Sequence, residues 1–154
     1  MRKTWIIIII SIILAFAIIQ FFQPAKNTVK ASTTSDIVFH LQIPSNVKKI
    51  IVNACYDCHS NNTHYPLYAN VAPISWLLNS DIKKAKKKMN FSEWGQYDKK
   101  EQLKLLTDIC DELTQGEMPL KSYVFMHSNA KLNPDQVDEI CKWTEDAGEE
   151  VLSK

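Results

Sequence analysis

Eighteen consecutive residues, Trp5 to Phe22 (WIIIIISIILAFAIIQFF), contain only two polar side chains, Ser11 and Gln20. As a helix this run spans roughly 27 Å at about 1.5 Å per residue, close to the ~30 Å hydrocarbon core of a bilayer. It reads as a transmembrane anchor comprising residues 1–22. Arg2 and Lys3 precede it, so the positive-inside rule places the N-terminus in the cytoplasm and everything after Phe22 outside. A cleaved signal peptide is the competing reading. Such peptides have a shorter apolar core and a small-x-small cleavage site, and Phe21-Phe22-Gln23-Pro24 offers none. The expectation is a single-pass protein of the cytoplasmic membrane. On either reading the remaining chain is exported to the periplasmic or outer side.

Residues 23–36 (QPAKNTVKASTTSD) are polar and aperiodic and read as a flexible linker. About 14 such residues have a typical end-to-end distance near 20 Å. The domain is then 37–154, long enough for one hydrophobic core. Composition removes several function classes. The three glycines, Gly95, Gly116 and Gly148, stand far apart, so there is no phosphate-cradling loop and no dinucleotide fingerprint. The net charge of +1 argues against nucleic-acid binding, which needs a basic excess. That total conceals an asymmetry: +8 over residues 1–100 and −7 over 101–154.

The chemistry lies in Cys55-Tyr56-Asp57-Cys58-His59. C-x-x-C-H is the attachment signature of a c-type haem. Two cysteines one helical turn apart can each form a thioether to a haem vinyl group, and the adjacent histidine is then held under the iron. With four Cys and four His in the chain, the pattern arises by chance only about 0.003 times. The rivals are a thioredoxin-like redox pair and half a zinc site. A redox pair of that kind opens a helix after a strand, and a zinc site needs two further ligands at metal spacing. Export agrees with haem attachment, which in bacteria occurs outside the cytoplasmic membrane.

Around the motif the periodicity is helical. Ile37 to Ile43 alternates loosely and suggests a short extended arm. A first helix follows Pro44, with Val47, Ile50, Ile51 and Ala54 on one face and the cysteines at its C-terminal end. A second runs from near Pro73 to about Met89. A third starts at Asp98 with Glu101 three residues on, a capping box, and stops at Gly116. A fourth begins Asn133-Pro134. The fold expected is all-α, an N-terminal transmembrane helix followed by a small four-helix domain. Cys110 and Cys141 fall on the apolar faces of the third and fourth helices; an oxidising compartment suits a disulfide between them, and two buried, unreactive thiols are the alternative.

The sixth iron ligand has several candidates: Met118, Met126, His127, His64, His40 and Met89. Met118 leads. It sits in Gly116-Glu117-Met118-Pro119, where the proline biases its backbone towards an extended form that projects the side chain. A thioether is a soft ligand that raises the potential. The lysines of 83–88 read as a solvated helix end, with an anionic-lipid or acidic-partner patch as the other possibility.

The chain resembles the haem-binding-domain family of small exported or membrane-anchored bacterial proteins, which look like c-type cytochromes. The resemblance extends from about Phe39 to Trp143. It rests on Cys55-Tyr56-Asp57-Cys58-His59-Ser60-Asn61-Asn62-Thr63, Tyr65-Pro66-Leu67-Tyr68, Ala72-Pro73-Ile74-Ser75-Trp76-Leu77, Asn90-Phe91-Ser92-Glu93-Trp94 and Gly116-Glu117-Met118-Pro119-Leu120, with Tyr123, Met126-His127 and Ala130-Lys131-Leu132 beyond. It implies a cytochrome c-like domain with one haem c, covalent on Cys55 and Cys58, iron ligation by His59, and support for Met118 as distal ligand. One departure stands out. The helix after Trp76 often carries a histidine and a Gly-Arg pair in the family, whereas this chain has Asn79-Ser80-Asp81-Ile82 and lysines.

The first functional reading is a monohaem carrier that passes one electron between redox partner proteins at the outer face of the membrane. The alternative is a haem sensor or binding module with an open or displaceable sixth site. A subunit with a structural haem, or a haem enzyme, is a third. No acid–base constellation accompanies the motif, so the expectation is not an enzyme.

Overall fold

The computed structural model describes residues 2–29 and 34–154, so residues 30–33 of the expected linker lie outside it. Its first element, α1 (Arg2–Ile19), is long and apolar enough to cross a membrane and has no buried residue. A helix that is apolar all round and covered by no protein has no core to join.

The four helices expected after the linker are present as α2 (Ser45–Ala54), α4 (Ile74–Lys88), α5 (Lys99–Thr114) and α7 (Pro134–Ser153), and two short ones join them, α3 (Tyr56–His59) and α6 (Lys121–Met126). Short 3₁₀ turns occupy several of the connections. Among the described residues there is no strand, only an isolated antiparallel bridge between Thr28 and Asn62. The domain is all-α.

Capping fixes the two longest domain helices. The Asp98 carboxylate accepts from the Glu101 N–H, and the Glu101 carboxylate accepts from the Asp98 N–H. Asn133 and Gln136 make the same reciprocal pair at the start of α7. Gly116 closes α5 in the left-handed region at φ 71°, which costs a glycine no Cβ clash. The two helices pack together. Leu103 of α5 approaches Gly148 of α7, and Cys110, two turns on, is bonded to Cys141, two turns earlier. That register makes them antiparallel. Of the two readings of these cysteines the disulfide is the one the structure has, and its sulfurs are not available as zinc thiolates.

One expectation fails locally. Ile37–Phe39 is a 3₁₀ turn and not an extended arm. The Asp36 carboxylate accepts from the Val38 N–H, a local bond that competes with strand geometry. Ile37 and Leu41 are then buried four residues apart, while Phe39 is exposed. The core below joins Ile37, Val47, Ile51, Leu106, Ile140 and Trp143. The linker also differs from a free tether over the residues described. The Val29 N–H donates to the Asn61 carbonyl, and the Thr63 N–H donates to the Asn27 carbonyl. Asn27 Nδ2 donates to both the Ser60 carbonyl and Thr63 Oγ1. These side chains lie more than thirty positions apart, and such pairing leaves no periodic trace in a sequence.

Candidate functional site

The signature occupies a break between two helices. α2 ends at Ala54, Cys55 leaves helical geometry at φ −125°, ψ −41°, and α3 supplies one turn from Tyr56 to His59. The cysteines therefore follow α2 instead of riding on its last turn as the periodicity suggested. Cys55 and Cys58 are half-buried free thiols. Burial pushes Cys55 up to about 12, with the Cys58 charge adding to it. Burial, and then Asp57 and Asp81, push Cys58 up to about 11. Both thiols stay protonated at neutral pH, the reverse of an activated redox pair.

His59 carries the clearest geometric statement. Its Nδ1 lies 3.1 Å from the Met89 carbonyl oxygen at the end of α4. A carbonyl can only accept, so Nδ1 holds the proton and Nε2 keeps its lone pair. Burial lowers the imidazole pKa, opposed by the Met89 bond and the Glu112 charge, and the ring is neutral at pH 7. A neutral imidazole with a fixed tautomer and an uncommitted Nε2 is what an iron ligand requires.

The surroundings hold that turn from three sides. Tyr56 donates its hydroxyl to Asp36 Oδ1 at 2.9 Å and stacks on Phe91 at 5.1 Å. Asp57 accepts from the His64 N–H through Oδ1 and from the Tyr123 hydroxyl, 2.8 Å away, through Oδ2. Asn61 Oδ1 accepts from Asn90 Nδ2, and the Asn61 N–H donates to Ser92 Oγ. Asp36, Asn90, Ser92 and Tyr123 support the site, and reading for ligands does not single them out. Asn90, Ser92 and Tyr123 stand in the blocks that carry the family resemblance. Asp36 has only the local signal of an Asx cap before an apolar residue.

The candidates for the distal position separate. Met118 is half-buried against the core, and its N–H is bonded to the Glu112 carbonyl. His127 stacks on Tyr123 at 4.1 Å, and its Nε2 lies 3.1 Å from the Tyr68 hydroxyl. Met126 is half-exposed. His64 is exposed. His40 bonds the Thr34 carbonyl and lies against Gly95. Met89 is buried and offers its carbonyl to His59. A groove of about 490 Å³ between Gln42–Pro44 and α7 is lined by none of these residues.

An all-helical domain that presents two free thiols and an oriented neutral imidazole on one turn fits an iron porphyrin. Comparison with known families agrees. The chain belongs to the haem-binding domain family, whose profile matches residues 14–146, most of its length. It is a haem-binding protein. No curated protein and no solved structure gives a significant match.

Proposed function

We propose that the chain is a membrane-anchored, monohaem c-type cytochrome-like protein that passes one electron between redox partner proteins at the outer face of the cytoplasmic membrane. The observation that carries this reading is the orientation of His59, with Nδ1–H spent on the Met89 carbonyl and Nε2 left to bind iron, one residue from a free thiol. Cys55 and Cys58 would supply the two thioether sulfurs, each S–H adding across a vinyl C=C so that sulfur bonds one carbon and the proton the other. His59 would be the proximal ligand and Met118 the distal one. Bound haem supplies a one-electron ferric/ferrous couple.

The residues around the turn serve such a couple by keeping it rigid. Phe91, Asp36 and Asp57 hold the α3 turn by stacking and hydrogen bonding, so the ligand set need not rearrange between oxidation states. Burial around His59 keeps the imidazole neutral and so a competent ligand. In this proposal the protein is a carrier and not an enzyme, with α1 spanning the bilayer and the domain outside.

Two measurements on the purified holoprotein test the reading. Haem should stay with the polypeptide through acidic organic extraction, and Cys58→Ser should leave at most one thioether. Haem that extracts intact would exclude covalent attachment. The oxidised protein should show the weak far-red charge-transfer band of methionine-ligated haem, and Met118→Ala should abolish it and admit carbon monoxide to the reduced form. A high-spin parent protein that binds carbon monoxide rapidly would replace the carrier with the sensor, because its sixth site would be open.

A further inference from the structure

The C-terminal end of α1 is joined to the domain by side-chain bonds as well as by chain. Gln20 stands one residue past α1, and its amide pairs with both polar groups of Ala72. Nε2 donates to the Ala72 carbonyl at 3.1 Å, and the Ala72 N–H donates to Oε1 at 2.9 Å. The same Nε2 reaches the Phe16 carbonyl, which seats the clamp on the last turn of the helix. Close by, Trp76 Nε1 donates to the Phe22 carbonyl at 2.6 Å.

These bonds set a height. The helix ends at Ile19 and not at Phe22, and with Arg2 and Lys3 at the cytoplasmic boundary its 18 residues cover about 27 Å, nearly the ~30 Å of a hydrocarbon core. Gln20 then falls at the boundary between hydrocarbon and headgroups, and Ala72, one hydrogen bond away, falls there too. The chain on either side of Ala72 exposes apolar side chains. Leu67 is 90% exposed, and Val71 and Ile74 are also exposed, with Phe21 and Phe22 uncovered on the anchor side. Trp76, an amphipathic ring of the kind enriched in interfacial belts, lies among them with its N–H satisfied.

We propose that Leu67, Val71 and Ile74 are seated in the interfacial layer of the bilayer that α1 crosses, so that the haem domain rides on the membrane surface in one orientation. The inference rests on the reading of α1 as a membrane span. Lipid is the occupant because the Gln20–Ala72 clamp holds this patch where the anchor leaves the hydrocarbon, and apolar side chains there gain from burial among acyl chains. A fixed orientation would present one face of the domain to partners moving in or along the membrane, in place of the free sampling of a 14-residue tether.

Spin labels placed one at a time in the full-length holoprotein, in nanodiscs of phosphatidylethanolamine and phosphatidylglycerol, test this. The sites are Leu67→Cys, Ile74→Cys, Leu152→Cys and Ile10→Cys, with the parent chain carried through the same labelling as the blank. Oxygen partitions into lipid and a nickel chelate into water. Leu67→Cys and Ile74→Cys should show an oxygen-to-nickel accessibility ratio several-fold above that of Leu152→Cys, a site 68% exposed at the end of α7, and should approach Ile10→Cys. Labels at 67 and 74 that match Leu152→Cys, while Ile10→Cys remains lipid-like, would overturn the docking and leave the anchor standing. Labels shielded from both probes would mean that cofactor or protein covers the patch, which also overturns it. A water-like Ile10→Cys would overturn the anchor itself and the docking with it.

Discussion

Phe91 is 1% exposed and touches two residues of the Cys55–His59 turn, stacking on Tyr56 and meeting His59 edge-on at 6.3 Å. Phe91→Ala should cost about 3–5 kcal/mol, the usual loss for a buried aromatic truncated to a cavity, read as a lower urea midpoint. It should also loosen His59, because the ring loses its wall while keeping its bond to Met89. Tyr123 offers a smaller and more local test. Burial and the Asp57 carboxylate push its phenol pKa up, so the hydroxyl stays protonated and donates. Tyr123→Phe keeps the ring stacked on His127 and deletes only the bond to Asp57 Oδ2. Bonds to charged groups are worth about 1.5–3 kcal/mol, and partial exposure lowers this to about 1–2 kcal/mol, measurable by chemical denaturation. A loss near zero would mean that α6 is not held to the Cys55–His59 turn through this contact.

The α5–α7 pair is the element most fully determined by local signals, and its disulfide gives a direct prediction. Cys110 and Cys141 are 31 positions apart, a loop for which the chain-entropy account gives about 3.7 kcal/mol. Cys110→Ala/Cys141→Ala should lose up to that amount of stability, read as a lower urea midpoint, and alkylation of the denatured, unreduced parent protein should label neither position. Both helices were legible in the sequence because Asp98 and Glu101 read as a capping box, Asn133-Pro134 as a cap followed by proline, and Gly116 marks the end of α5. α2 and α4 were legible from apolar spacing, with Pro44 and Pro73 marking their starts. The segment misread and the helix missed have a different physics. Ile37–Leu41 alternates like a strand, but the Asp36 carboxylate captures the Val38 N–H and the burial spacing becomes four. α6 spans only Lys121–Met126, too short for a period to show. The site divides the same way. Cys55, Cys58 and His59 announce themselves by spacing, whereas the Met89 carbonyl that sets the histidine tautomer is a backbone atom thirty residues away, and no side-chain pattern marks it.

At the scale of the whole molecule, the anchor and the haem domain are connected through a strap whose hydrogen bonds converge on Asn27. Its side-chain Nδ2 donates to the Ser60 carbonyl and to Thr63 Oγ1, at 2.8 and 2.9 Å, and its Oδ1 accepts from Lys86 Nζ at 2.7 Å. Ser60 directly follows His59, and Thr63 Oγ1 in turn donates to the Asp57 carbonyl. The strap therefore reaches the Cys55–His59 turn within two bonds. Asn27→Ala removes three side-chain bonds while leaving the backbone pairing of Asn27 and Val29 with Thr63 and Asn61 in place. At about 1 kcal/mol net for each bond, local opening of the strap should become easier by about 3 kcal/mol, roughly a hundredfold in an opening equilibrium. Amide exchange reads this directly. The N–H groups of Val29 and Thr63 should exchange about a hundredfold faster in the variant, while that of Leu106, in the core of α5, should keep its parent rate. Unchanged protection at Val29 and Thr63 would show that the backbone bridge alone holds the strap. Faster exchange at Leu106 as well would show that the strap belongs to the global folding unit and does not open separately.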